Sequence, residues 1–253
     1  QYLGQVTGLA TEFVSGLTPA EQEAGVSREE IQVVFTCGLP YVRKADQRPP
    51  ALTLLAAPVF AAAYYQDRPI YFSQVVVRAD SPYQTLTALR GSRWAYNEVY
   101  SLSGYVLLRH HLLGLGETTA FWGQLLPSGA HACSLDWVEQ GRADCAAIDS
   151  VVLDMEFGQR PERRACFRTV TQLGPYPMPP VAAVTGLAET LRRRLCLALT
   201  TMHRTRSGRS ILAQAGFRRF APVSDGTYDP IRTIIQEIQQ AGLSIPNQGD
   251  DAL

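Results

Sequence analysis

The chain has 253 residues, 46% hydrophobic and 18% charged, with 23 basic side chains balancing 23 acidic ones. This is the composition of a globular protein long enough for one large or two small cores. Its neutral balance argues against general nucleic-acid binding, which wants a basic surface, but not against a small anion, which a few oriented amides hold without net positive charge.

No apolar run approaches the roughly 20 residues that span a bilayer, and no secretory leader is visible. The chain opens on Gln1 rather than Met, as it would after removal of an upstream segment. In chain order, Gln1 to Glu12 reads as the tail of a helix and Phe13 to Thr18 as a short strand. Pro19 to Glu30, rich in Glu and Ala, is predicted helical with Thr18 as its N-cap. Ile31 to Cys37 (IQVVFTC) is a continuous apolar run, as expected of a strand buried on both faces, and Leu52 to Val59 is another apolar segment. Ile70 to Arg78 (IYFSQVVVR) is long and β-branched and predicts a strand. A short helix to about Leu89 and a strand over Ser92 to Asn97 follow, then an apolar helix from Ser103 to Leu115. Leu135 to Gln140 reads as a short helix and Ala143 to Ile148 as a buried strand. Pro175 to Pro180 (PYPMPP) is a rigid connector and Val181 to Thr185 a strand. Helices are predicted over Ala188 to His203, Gly208 to Ala215 and Tyr228 to Ala241, with a frayed polar tail from Pro246 to Leu253. Strands alternating with helices define an α/β protein, in two blocks with the second inserted into the first.

The five cysteines, Cys37, Cys133, Cys145, Cys166 and Cys196, contain no CxxC pair, which argues against a zinc or redox centre. Most are expected to be small core residues. A disulfide among Cys133, Cys145 and Cys166 stays open, and the odd total leaves at least one thiol free or paired with another chain.

Four stretches carry possible chemistry. From Tyr96 to Tyr105 (YNEVYSLSGY) a strand gives way to a small polar loop and a helix. This places serine hydroxyls and unbonded N–H groups at the positive end of a helix, a site suited to a phosphate-like anion. Plain N-capping by Ser101 or Ser103 explains the same residues. In Ser128-Gly129-Ala130-His131 a histidine precedes a helix, where it can donate to an anion or simply cap. In Ala147-Ile148-Asp149-Ser150 a carboxylate ends a buried strand, able to accept a proton from an oxyanion or to cap the next segment. In Gly38-Leu39-Pro40-Tyr41 a turn presents a tyrosine. Enzyme signatures such as GxSxG, HExxH and the P-loop are missing, and the adjacent His110 and His111 make a poor metal pair.

Together these stretches resemble the phosphonate-binding (PhnD-like) periplasmic solute-binding proteins of ABC transporters, which have the type 2 periplasmic-binding fold. The resemblance rests on Cys37 to Val42, on Val75 to Pro82 as an interlobe crossover, and on Leu86 to Tyr96. It continues in Ser101 to Tyr105 (SLSGY) as the family's Ser-Thr-Ser-Gly anion loop, in Ser128 to His131, in Gly141 to Asp149, and in Gly174 to Pro180 as the return crossover. It implies two lobes, 1–78 with 182–253 and an inserted 79–181, hinged at the crossovers and enclosing a cleft. It further implies an oxyanion held by Ser101, Leu102 and Ser103, completed by Tyr41, His131 and Asp149, with no catalytic residue, metal or cofactor. The partners implied are a small oxyanion (phosphonate, phosphite or phosphate) and a membrane permease, with no nucleic acid, in the periplasm or outside the cell. A sensor module presenting the same ligand to a receptor, and an enzyme built on the fold, are the other classes compatible with the pattern. Two departures stand out: Leu102 replaces the family's usual Thr, and Gln1 falls inside what is normally the helix after an opening central strand.

Overall fold

The computed structural model describes residues 2–246; the expected polar tail lies, beyond Pro246, outside the described residues. The chain runs α1 (Tyr2–Thr7), α2 (Pro19–Ser27), β1 (Val33–Phe35), α3 (Gly38–Ala45), β2 (Leu52–Phe60), β3 (Ile70–Arg78) and β4 (Arg93–Tyr96). It continues through α4 (Leu107–Gly114), β5 (Gln124–Pro127), α5 (His131–Glu139), β6 (Cys145–Asp149), α6 (Ser150–Gln159) and β7 (Phe167–Pro177). It ends with β8 (Val181–Val184), α7 (Glu189–Thr201), α8 (Arg206–Gln214), β9 (Phe217–Ala221) and α9 (Asp229–Gln240). The α/β expectation holds. The helix predicted after Thr18 forms because Thr18 and Glu21 cap each other: Glu21 N–H donates to Thr18 Oγ1 at 3.3 Å and Thr18 N–H to the Glu21 carboxylate at 2.7 Å.

Two compact units result. One comprises the described residues up to Ile70 together with Pro177–Arg232, the other Tyr71–Tyr176 with Thr233–Pro246. The chain therefore passes between them at Ile70–Tyr71, at Tyr176–Pro177 and within α9, where the sequence reading sets the boundaries after residues 78 and 181.

The first unit is built on a four-stranded sheet of order β1-β8-β2-β9, antiparallel at every step. Leu55, Val181, Leu195, Leu199 and Phe220 form its core, with α7 and α8 contributing. The IQVVFTC run departs from expectation. Only its three central residues pair, on an edge of the sheet, and Phe35 is left 54% exposed. Phe13 to Thr18 is no strand: it has no ladder partner, and Phe13 stands 85% exposed.

The second unit holds a five-stranded sheet of order β5-β4-β6-β3-β7, with β4 parallel to β5 and β6, and β3 antiparallel to β6. Val76, Ala95, Leu135, Val138 and Ile148 pack its core between sheet and helices. The parallel pairing brings the carboxyl ends of β4, β5 and β6 to one edge, where Tyr96 pairs with Pro127 and where Asp149 stands opposite Ser73 of β3. The proline-rich connector is partly strand: β7 extends through Pro177, which an edge position tolerates because proline there need not donate to a neighbour.

The cysteines are less buried than expected. Cys145 is sealed in β6, Cys166 and Cys196 are half-buried, Cys37 and Cys133 are exposed, and no disulfide joins Cys133, Cys145 and Cys166. The reason is local: Cys133 falls on a solvent-facing position of α5 and Cys37 on the cap of α3. Among the described residues, no helix is long and apolar enough to cross a membrane.

Candidate anion site

The second unit's sheet edge carries a cluster of polar groups built by two loops. After β4 the chain turns at Glu98, whose carbonyl accepts from Ser101 N–H at 3.0 Å. Ser101 then caps the following turn, its Oγ accepting from Gly104 N–H at 3.1 Å. The Ser101 carbonyl accepts from both Tyr105 N–H at 3.2 Å and Val106 N–H at 3.0 Å, so residues Leu102–Val106 form a widened π turn that runs into α4. Such wide turns recur at functional sites. The first N–H groups of the turn, those of Leu102 and Ser103, have no intrahelical acceptor and lie at the positive end of the helix.

The second loop is zipped to the first. Ser128 N–H donates to the Tyr96 carbonyl at 2.8 Å and Gly129 N–H to that of Asn97 at 3.0 Å. Ser128 and Ser134 hydroxyls meet at 2.6 Å and fix the start of α5. His131, the first residue of α5, therefore faces the serine loop, with Nε2 3.3 Å from Ser103 Oγ. Gly104 makes this approach possible: a Cβ there would come 1.8 Å from Asn97 Oδ1 and 3.0 Å from His131 Cε1.

The electrostatics follow from enclosure. Burial pushes His131 down to about 4, against a weaker upward pull from the Ala147 carbonyl, so the ring is neutral at physiological pH. Burial pushes Asp149 up to about 7, although the Val151 and Val152 N–H groups pull the other way. Glu98 is likewise raised by burial. Two enclosed polar atoms find no hydrogen-bond partner: Asn97 Oδ1 and Glu98 Oε2. Buried polar groups are ordinarily bonded, so these atoms mark a place that a ligand's donors and acceptors would complete.

Of the residues singled out in sequence, Ser101, Ser103 and His131 come together here. Leu102 sits in the same turn, yet its side chain is in the core at 1% exposure, so it contributes backbone rather than an apolar wall. Asp149 ends β6 at the same edge, where its Oδ1 accepts from Val151 N–H at 2.8 Å and caps α6. It is linked to the loop through Ser73, its partner across the ladder, whose hydroxyl donates to the Ser103 carbonyl at 2.6 Å. Tyr41 belongs to the other unit. It is buried in α3, packs on Tyr228 with ring centroids 4.9 Å apart, and donates its hydroxyl to Asp225 at 2.6 Å. Sequence reasoning missed Ser73 and the part played by Asn97. The signal for Ser73 was a lone small hydroxyl inside the apolar IYFSQVVVR strand. Among the described residues, no group of His, Cys, Asp and Glu is placed to hold a metal.

The sequence over residues 1–228 matches the family model described as ABC transporter, phosphonate, periplasmic substrate-binding protein. The chain belongs to this family. Family membership makes it a substrate-binding component, and implies a location outside the cytoplasm, with a small-molecule ligand and a membrane transporter as partners. Solved structures agree on the fold. A binding protein component of an ABC phosphonate transporter from Pseudomonas aeruginosa is similar at 15% identity and TM-score 0.83, over 94% of this chain and 79% of that one. PhnD1 from Prochlorococcus marinus, solved with methylphosphonate, is similar at 17% identity and TM-score 0.81, over 94% of this chain and 90% of that one. A Xanthomonas citri protein solved with ATP is similar at 18% identity and TM-score 0.73, over 95% and 90%. At these identities the likeness establishes the type 2 periplasmic-binding fold alone.

Proposed function

We propose that this family member holds the oxyanion of a phosphonate-type ligand on the Ser101–Gly104 turn, with His131 and Asp149 beside it, for delivery to an ABC permease. The observation that carries this reading is the contact of the buried Ser103 with His131 at the head of a helix, beside the enclosed and unpartnered Asn97 Oδ1 and Glu98 Oε2. The Leu102 and Ser103 N–H groups supply fixed donors to the anion, and the serine hydroxyls and His131 supply orientable ones. Asp149, raised by burial to about 7, accepts a proton from a singly protonated oxyanion. Tyr41 donates its hydroxyl to Asp225 within the first unit and carries no weight in this reading. Glu98 favours a refinement: its unpartnered, enclosed Oε2 suits a ligand that brings a donor of its own, such as an ammonium group.

A thermal-shift screen tests both statements. Methylphosphonate, aminoethylphosphonate, phosphite, phosphate and sulfate are compared under identical conditions. A ligand at 100 times its Kd adds about 2.7 kcal/mol to the native state and raises the midpoint by several degrees. The expected result is a shift by phosphorus oxyanions and not sulfate, with aminoethylphosphonate ahead of methylphosphonate. No shift with any phosphorus oxyanion would remove the anion-loop reading; equal shifts from the two phosphonates would remove the role given to Glu98.

A further inference from the structure

The neutral charge balance of the chain conceals a strong asymmetry. Between Ala188 and Ala221 there are eight arginines and a single acidic residue, Glu189, so the remainder of the chain is net acidic. This run forms α7, α8 and β9 of the first unit. Carboxylates neutralise little of it. Arg193 pairs with Glu189, and Arg218 and Arg219 share Asp67. Arg192, Arg194 and Arg209 bond to backbone carbonyls, which orient a guanidinium without cancelling its charge. Arg204 and Arg206 are exposed, and among the described residues no carboxylate pairs with either. Apolar side chains stand among these charges. Leu197 follows Arg193 and Arg194 at four and three positions, hence on the same helix face, and is 63% exposed. The exposed Phe13 is in the segment leaving α1, and α1 is tied to α7 by Arg194 donating to the Thr7 carbonyl at 2.5 Å.

We infer that this arginine-rich region of the first unit docks on an anionic phospholipid surface. Charge complementarity selects the partner's sign. The planar guanidinium fork matches phosphate geometry, and the exposed Leu197 on the helix face of Arg193 and Arg194 suits insertion among headgroups. The inference is independent of the ligand site, which lies in the other unit.

Vesicle sedimentation tests it with the intact chain. Vesicles containing phosphatidylglycerol should retain the protein at low salt, whereas phosphatidylcholine alone should not. Retention should vanish at about 1 M salt, where the Debye length is only about 3 Å. R193Q/R204Q/R206Q should lower partitioning on the order of a hundredfold, at about fivefold per arginine. R28Q/R78Q/R90Q, which removes the same charge elsewhere, should change it little. Unfolding midpoints near wild type verify that both variants fold. Failure of wild type to bind the anionic vesicles at low salt overturns the assignment and leaves an acidic protein surface as the occupant. Equal losses in the two variants also overturn it, since net charge alone would then explain the binding.

Discussion

Ser103 joins three parts of the site: its carbonyl accepts from Ser73, its hydroxyl meets His131, and its N–H belongs to the open turn. Ser103→Ala removes the hydroxyl and leaves the backbone bonds. The expected cost is one charge-assisted hydrogen bond to the ligand, about 1.5–3 kcal/mol, read as a tenfold or greater rise in Kd by calorimetry. An unchanged Kd would take Ser103 out of the site. Asp149 gives a pH signature in the ligand-free protein. Burial lifts it to about 7, above the value of about 3.9 in the unfolded chain. The folded state thus holds the proton more tightly, and the stability this confers is full below about pH 4 and lost as pH rises through about 7. Asn at 149 can still cap Val151 without ionising. The advantage of Asp149→Asn over wild type should therefore grow from about pH 4 to about pH 7 and then level off, in denaturant midpoints measured across that range. A difference independent of pH would mean that the carboxylate stays hydrated.

At the scale of elements, the π turn and the head of α5 interlock through Gly104. Gly104→Ala drives a Cβ into Asn97 Oδ1, so the loop must open. The expected result is a loss of 1–3 kcal/mol in stability, the usual range for overpacking, together with loss of phosphonate binding beyond that of Ser103→Ala. Wild-type affinity in this variant would show that the Asn97–Gly104–His131 packing is dispensable. Some elements were legible in sequence because their causes are local. The β-branched Ile70–Arg78 run, the Thr18 N-cap and the serines ahead of an apolar helix all act within a few residues. What was not legible depends on pairing between distant segments. Nothing near Ser128 says that its N–H will bond to Tyr96, because that follows from β4 and β5 lying parallel. Phe13 to Thr18 has strand-like composition but no neighbouring edge to join, and Ile31 to Cys37 is apolar throughout although only one of its sides is paired.

At the scale of the molecule, Ser101, Ser103, His131 and Asp149 fall in the second unit and the eight-arginine run from Arg192 to Arg219 in the first. Family membership was readable from motifs spread along the chain in their proper order, and the match over residues 1–228 agrees. The charge asymmetry was not readable from composition, because a balanced total hides where the charges fall. The distribution of thiols has a practical sequel. Cys133 is exposed two residues after His131, whereas Cys145 is sealed in the sheet and burial holds its thiol far above its usual titration range. A maleimide fluorophore should therefore label Cys133 and spare Cys145 without any engineered residue, and Cys37→Ser would remove the other exposed competitor. Once attached, the dye would sit on the helix whose first residue faces the anion turn. Its emission should change on titration with methylphosphonate and stay constant with sulfate, so the natural chain already contains the attachment point of an optical sensor for its own ligand.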